Sequence, residues 1–210
     1  TYPFQWTAKK VWHFAQYPAW STKMIIAALG EGMPEPANYS SSKQNIKFER
    51  NAPRTGADWE FLERLRAKWS GKLIVKGVQC PEDALHIKNL GIDAIYVSNH
   101  GGRQLNAAPV VIDSLAAIRY SIGMDYPLIY DGGIRGGEHV LKAIATGANF
   151  TMLGRSVMYA LGAKGEAGIN SILDSIEREL DSSMGLLGCC HPSEVSSKSL
   201  AQYFSVKAQS

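Results

Sequence analysis

Four short apolar runs constrain this chain most. Each is followed by a helical pattern, and each closes in polar or glycine-rich residues. The runs are "LIVKG" (73–77), "AIYVSNH" (94–100), "PLIYDGG" (127–133) and "FTMLGR" (150–155). They do not alternate apolar with polar residues, so each is expected to be buried on both faces, as in a parallel sheet. The helical patterns between them have clear ends. Pro81 stands where a first helical residue should, with Glu82 and Asp83 in the favoured first turn and Gly91 after the last turn. Pro109 and Gly123 bracket the next pattern, and Gly147 closes the third. A final stretch sets Ile169, Ile172, Leu173, Ile176, Leu180, Met184 and Leu187 on one face. The order is βαβαβαβα with a repeat of roughly 20–30 residues, the grammar of an α/β fold. A doubly wound sheet and a (β/α)8 barrel both fit it. Both build their sites at the C-terminal ends of strands, where the polar residues fall here. No strand carries G-x-G-x-x-G into a helix, which weakens a dinucleotide-binding reading.

The first third is different. All five tryptophans (Trp6, Trp12, Trp20, Trp59, Trp69) precede Gly71. Helical stretches are expected around Ala8–Tyr17 and Trp20–Leu29, separated by Pro18 and ended by Gly30. Glu31–Ala57 is polar and rich in Pro, Ser and Asn, without apolar period, and reads as a long functional or disordered loop. Asp58 then caps a helix on which Trp59, Leu62, Leu65 and Trp69 recur at near-helical spacing. The expected division is therefore 1–57, a helical segment and variable loop, and 58–210, the α/β part. Lys9, Lys10 and Lys23 lie among the early tryptophans. That stretch either rests on a membrane surface or packs on the rest of the chain, and packing is the expectation.

Composition excludes several classes. A net charge of +3 over 210 residues, without a basic run, gives no case for nucleic acid. No apolar stretch approaches membrane-span length, and nothing at the start reads as a signal peptide. Cys80, Cys189 and Cys190 make a poor disulfide framework, so a reducing, cytoplasmic compartment is expected. No pair has metal-ligand spacing, and no metal site is expected, the "CCHP" turn at His191 included. His13, His86 and His139 read as packing or surface residues. The chain opens at Thr1 without methionine, which suggests a fragment or a processed chain.

The chemistry lies at the strand ends. In "YDGGIRGG", Asp131 ends a strand, Gly132 and Gly133 let backbone approach a ligand closely, and Arg135 precedes a helix start. The next strand ends in Gly154 and Arg155 before another helix start. Backbone N–H groups beside a helix N-terminus bind anions, and arginine grips them with two bonds. Two such motifs on successive strands match the phosphate site of many barrels; the bland alternative is tight turns with solvent-facing arginines. Lys76 closes a strand too apolar to expose it by accident, so its ammonium is expected to meet an anion or an electron-rich ligand. His100 and Arg103 flank two glycines over the same mouth. A histidine takes a proton near neutral pH, and an arginine holds a carboxylate in a forked pair. Together they describe a site for an anionic organic acid that loses a proton.

"LIVKG", "SNHGGRQL", "DGGIRGG" and "LGRSVMYAL", in this order, resemble the FMN-dependent 2-hydroxy acid oxidising enzymes, which include L-lactate dehydrogenases, glycolate oxidases and mandelate dehydrogenases. The resemblance runs from about Trp59 to "GLLGC" at 185–189, and more weakly through "YPAWS". It implies a TIM (β/α)8 barrel, of which this chain holds the C-terminal four βα units, and it implies FMN as cofactor. Lys76 would stand by the pyrimidine end of the flavin and Ser98 would touch it. His100 would be the base, and Arg103 would bind the substrate carboxylate. Asp131, Gly132, Gly133, Arg135, Gly154 and Arg155 would line the ribityl-phosphate site. The polar stretch at 31–57 would be the family's variable loop after the fourth strand, which meets the bilayer in membrane-associated members. Asn106 departs from the family's usual aspartate. The first four strands, which supply a tyrosine, a second arginine and much of the surface under the flavin, have no counterpart here.

Two readings follow. One is an enzyme or its C-terminal part, oxidising a lactate- or mandelate-like L-2-hydroxy acid to the 2-oxo acid through FMN. Its electrons go to a second acceptor, with oxygen as the alternative. The other is a half-barrel that binds phosphate or flavin only with a partner. Four strands leave two unpaired edges, so a homo-oligomer or pairing with a separate N-terminal half is expected, in the cytoplasm or peripherally at the inner face of a membrane.

Overall fold

The computed structural model describes residues 6–32 and 57–200 of the 210-residue chain. The chain divides into two compact units, Thr1–Thr55 and Gly56–Ser210. Nearly all of the polar stretch at 31–57 lies outside the described residues. In the first unit, α1 (Ala8–Ala15) is capped by Thr7, whose Oγ1 accepts the N–H of Lys10 at 3.3 Å. Helix α2 spans Pro18–Glu31. Pro18 is its first residue rather than a spacer, because the N–H that proline lacks has no helical partner there. Gly30 is passed through, and the helix ends at Gly32, which has φ of 81°. The Ser21 hydroxyl donates to the Phe14 carbonyl at 2.7 Å, joining the two helices.

The second unit opens with α3 (Trp59–Lys68), capped as expected by Asp58, whose Oδ1 accepts the N–H of Phe61 at 2.8 Å. Then come β1 (Ile74–Val78), α4 (Pro81–Asn89), β2 (Ala94–Val97), α5 (Val111–Ile122), β3 (Leu128–Asp131), α6 (Gly137–Thr146), β4 (Phe150–Met152) and α7 (Arg155–Leu187). The strands are all parallel, in the order β1-β2-β3-β4. This order is the one a barrel wall has, of the two folds that the alternation left open. A doubly wound sheet reverses direction at a switch point. Here every strand adds to the same edge, so right-handed crossovers carry α4, α5 and α6 to one face. These are four βα units of a (β/α)8 barrel.

The helix-side core contains Ile87, Ile95, Val97, Leu115, Ile118 and Leu128, all essentially inaccessible to solvent. The opposite face departs from the expectation of burial on both sides. Lys76, Tyr96, Ile129 and Phe150 stand in register there, and Ile74 and Phe150 are 47% and 60% exposed. The physical reason is closure: inward side chains of a barrel are covered by those of the opposing strands, and four strands supply only one wall.

Two polar staples hold the strand starts. The Asp93 carboxylate accepts from Lys72 Nζ at 2.8 Å, the N–H of Leu73 at 2.9 Å and Arg66 Nη1 at 3.0 Å, tying α3 and β1 to the start of β2. Buried Arg119 on α5 does the same for β3 and β4 through the carbonyls of Gly123, Tyr126 and Gly147 and through Asn149 Oδ1. Gly137 lets α6 close on α7: a Cβ there would stand 2.7 Å from the Ile176 carbonyl oxygen. Helix α7 is broken at Gly165, with φ of 61° and ψ of −139°. No helix among the described residues is long and apolar enough to cross a membrane.

Candidate active site

The opposite, C-terminal ends of the strands gather most of the residues singled out from sequence. Lys76 on β1 lies in register with Tyr96 on β2, its Nζ 3.9 Å from the tyrosine ring centroid. The ammonium donates to Ser98 Oγ at 2.8 Å and to Asp131 Oδ2 at 2.9 Å. Ser98 donates to Asp131 Oδ1 at 2.5 Å, and the Tyr96 hydroxyl donates to Asp131 Oδ2 at 2.8 Å. Three strands thus converge on one carboxylate. Burial alone would raise the Asp131 carboxyl, but hydrogen bonds from Ser98, Lys76 and Tyr96 hold it below its ordinary value. The same burial, with Asp131 beside it, pushes the Tyr96 phenol up. The anion expected to meet Lys76 is, in the protein itself, Asp131. The lysine is not deeply buried, its side chain being 41% exposed on the open face of the sheet.

Beyond β2 the chain makes a single 3-10 turn, His100–Gly102. Ser98, fully buried, accepts the N–H of His100 at 3.1 Å, and Asn99 Oδ1 accepts the N–H of Gly101 at 3.1 Å. His100 has φ of 55°, the one non-glycine with positive φ among the described residues. Its half-buried ring lies against Gly77. Arg103 is exposed, and its Nε donates to the His100 carbonyl at 3.3 Å.

At the ends of β3 and β4, Gly132 and Gly133 have φ of 124° and 81°. With Asn99, Gly101, His139 and Arg155 they line a cleft of about 500 Å³. Arg155 begins α7 and comes close to Gly101, so the loops after β2 and β4 face each other. Arg135 is placed elsewhere. It is exposed and lines a neighbouring cavity of about 570 Å³ with Arg178 and Glu179. The N-terminus of α6, expected to take an external anion, already holds one: the N–H of Gly137 donates to Glu179 Oε2 at 2.7 Å. The structure therefore brings Lys76, Ser98 and Asp131 together, and Gly132, Gly133 and Arg155 together, but sets Arg135 apart. Tyr96 and Gly77 were not anticipated. Both become visible only through pairing across strands.

This donor set suits a flavin mononucleotide: a cation and a hydroxyl at one end, and an arginine with open glycine backbone at the other. Gly102, Gly133 and Gly154 leave open space where a side chain would stand. The chain matches the FMN-dependent dehydrogenase family over residues 1–202 and belongs to it. FMN is the cofactor of that family. Among solved structures, the monotopic membrane protein (S)-mandelate dehydrogenase is 33% identical with a TM-score of 0.82, over 94% of this chain and 53% of that one. A mandelate oxidase is 41% identical with a TM-score of 0.60, over 63% of this chain and 39% of that one. A lactate oxidase of Pediococcus acidilactici is 40% identical with a TM-score of 0.62, over 66% and 38%. The chain thus spans about half the length of the solved structures it matches, or less.

Proposed function

We propose that this chain is the flavin-facing, proton-abstracting half of an FMN-dependent enzyme that oxidises an L-2-hydroxy acid, lactate- or mandelate-like, to the 2-oxo acid. The observation that carries the reading is the convergence of Lys76, Ser98 and Asp131 beside the His100 turn, next to the cleft lined by Gly132, Gly133 and Arg155. When bound, FMN supplies a two-electron acceptor. Lys76 and Ser98 would hold its pyrimidine end, where the ammonium would counter negative charge. Arg155 and the backbone at Gly132, Gly133 and Gly154 would hold the ribityl phosphate, with Asp131 beside the ribityl chain, while Arg135, which lines the neighbouring cavity, is left out of that set. Arg103 pairs with the substrate carboxylate. His100 takes one proton from the hydroxy acid, and the other hydrogen together with both electrons would pass to bound FMN. A second acceptor, an electron carrier or oxygen, would be needed to complete turnover.

A second reading has its own support. The face bearing Ile74, Phe150 and Met152 is uncovered, and β1 and β4 each have one unpaired edge among the described residues. On this reading the half-barrel binds flavin only when a second chain supplies the remaining strands. Trp12, Ile25, Ile26 and Leu29 are exposed in the same unit as Lys9, Lys10 and Lys23, which fits a peripheral membrane contact. Anaerobic absorption spectra of the chain with FMN, before and after L-lactate or L-mandelate, test the proposal. Bound flavin should bleach with one of these acids, and His100→Ala should abolish the bleaching while leaving FMN bound. Flavin that stays free and oxidised would leave only the partner-dependent reading.

A further inference from the structure

Among the described residues the sheet has one irregularity, and it adjoins the candidate site. Lys76 pairs with Tyr96 and Val78 pairs with Val97, so Gly77 is the extra residue of a bulge in β1. Gly77 has φ of 94°, open to glycine and strained for other residues. A Cβ on Gly77 would stand 2.7 Å from His100 Cε1 and 3.6 Å from each ring nitrogen. The imidazole therefore points its Cε1 corner into the gap, with Nδ1 and Nε2 to either side. Neither ring nitrogen has a hydrogen-bond partner among the described residues, so packing sets the ring's orientation. The His100 backbone also sits at a positive φ that a non-glycine residue holds only when its surroundings impose it.

We propose that Gly77 is a positioning residue for His100. The bulge in β1 opens a seat for the imidazole, which holds the ring while leaving both nitrogens available. Because Lys76 immediately precedes the bulge, one backbone feature places both the ammonium and the imidazole. The inference rests on the reading of His100 as the base, and adds a specific reason for a glycine at 77.

The test compares Gly77→Ala with Gly91→Ala. Gly91 also has positive φ, of 71°, but nothing lies near its Cβ position, so it carries the backbone strain without the collision. The readout is the rate at which diethylpyrocarbonate modifies His100 in the chain without flavin, located by mass spectrometry. Gly77→Ala should raise that rate several-fold, whereas Gly91→Ala should leave it at the wild-type value. A rate in Gly77→Ala equal to or below wild type overturns the proposal. Should Gly77→Ala fail to fold, the double variant Gly77→Ala/His100→Ala decides. Removing the ring removes the collision, so the double variant should recover to the stability of Gly91→Ala, and a double variant as damaged as the single one overturns the idea. In flavin-loaded protein that turns over, Gly77→Ala should lower kcat by about 100-fold with KM little changed, as expected of a displaced base. Substrate bleaching that survives His100→Ala would sink the base assignment, and the modification experiment would still report on the seat.

Discussion

Replacing Arg119 by lysine keeps the charge and removes the fork. Arg119 is buried, and its guanidinium serves four acceptors: the Gly147 carbonyl at 2.6 and 2.9 Å, Gly123 at 2.5 Å, Tyr126 at 2.8 Å and Asn149 Oδ1 at 2.8 Å. Asn149 Oδ1 keeps the N–H of Leu128 whatever happens to the arginine. The three carbonyls depend on the side chain more heavily. An ammonium is a point donor on a longer stem and cannot span them as a planar fork does. One or two carbonyls then stay unpaired, each costing about 1–3 kcal/mol, so the expected loss is about 3 kcal/mol. For a unit of this size that lowers Tm by roughly 6–12 °C. Urea unfolding followed by far-ultraviolet circular dichroism checks it, the midpoint falling at an unchanged slope. A loss under about 0.5 kcal/mol, the scale of an ordinary surface change, would refute the reasoning. FMN affinity per folded molecule should not change, because the staple lies at the end of the sheet remote from Lys76 and Ser98.

Two further outcomes follow from the same strand starts and from the α6–α7 contact. The Asp93 carboxyl is held down to about 2 by hydrogen bonds from Lys72 and the N–H of Leu73, against the opposing effect of burial, with Arg66 adding to it. A depressed carboxyl contributes stability that is fully present above its unfolded value and is lost as pH falls through the folded one. Wild type should therefore be more stable than Asp93→Asn at pH 7, with the difference closing between about pH 4 and pH 2, and a gap independent of pH would show that the ion pairs contribute nothing. Gly137→Ala forces a methyl against the Ile176 carbonyl oxygen at 2.7 Å and the Glu179 carbonyl carbon at 2.8 Å, backbone atoms that cannot step aside. It should cost about 1–3 kcal/mol, while Gly185→Ala, in open space on α7, should be neutral or stabilising, and equal thermal melts for the two would refute the close packing.

Much of this protein can be read along the chain. Pro81 and Gly147 do what their backbone preferences dictate, at a helix start and a helix end. Asp58 caps α3 through a residue three positions away. The charged strand ends are visible because a lysine or a histidine closing an apolar run is conspicuous wherever the run packs. These are local properties, set within a turn or two of chain, and they were enough to give the α/β alternation and the end of the sheet where the candidate residues gather.

What only the tertiary structure decided depends on segments far apart in sequence. The sequential strand order is the arrangement of a barrel wall, and no single βα unit shows it, because barrels and doubly wound sheets are built from the same units. Lys76 meets Asp131 across 55 positions, and Tyr96 joins them only because parallel register brings it beside Lys76. Arg135 and Arg155 look alike in sequence, yet Glu179 occupies the helix start beside the first, and the two arginines line different cavities. Gly77 reads as an ordinary strand glycine until the bulge turns it toward His100. The sequence by itself determined which chemical groups stand at which strand ends, since that follows from local preference and from the position of each charge along its run. Which of those groups touch was left to the sheet, because register, bulge and strand order are properties of pairing, and no single segment carries them.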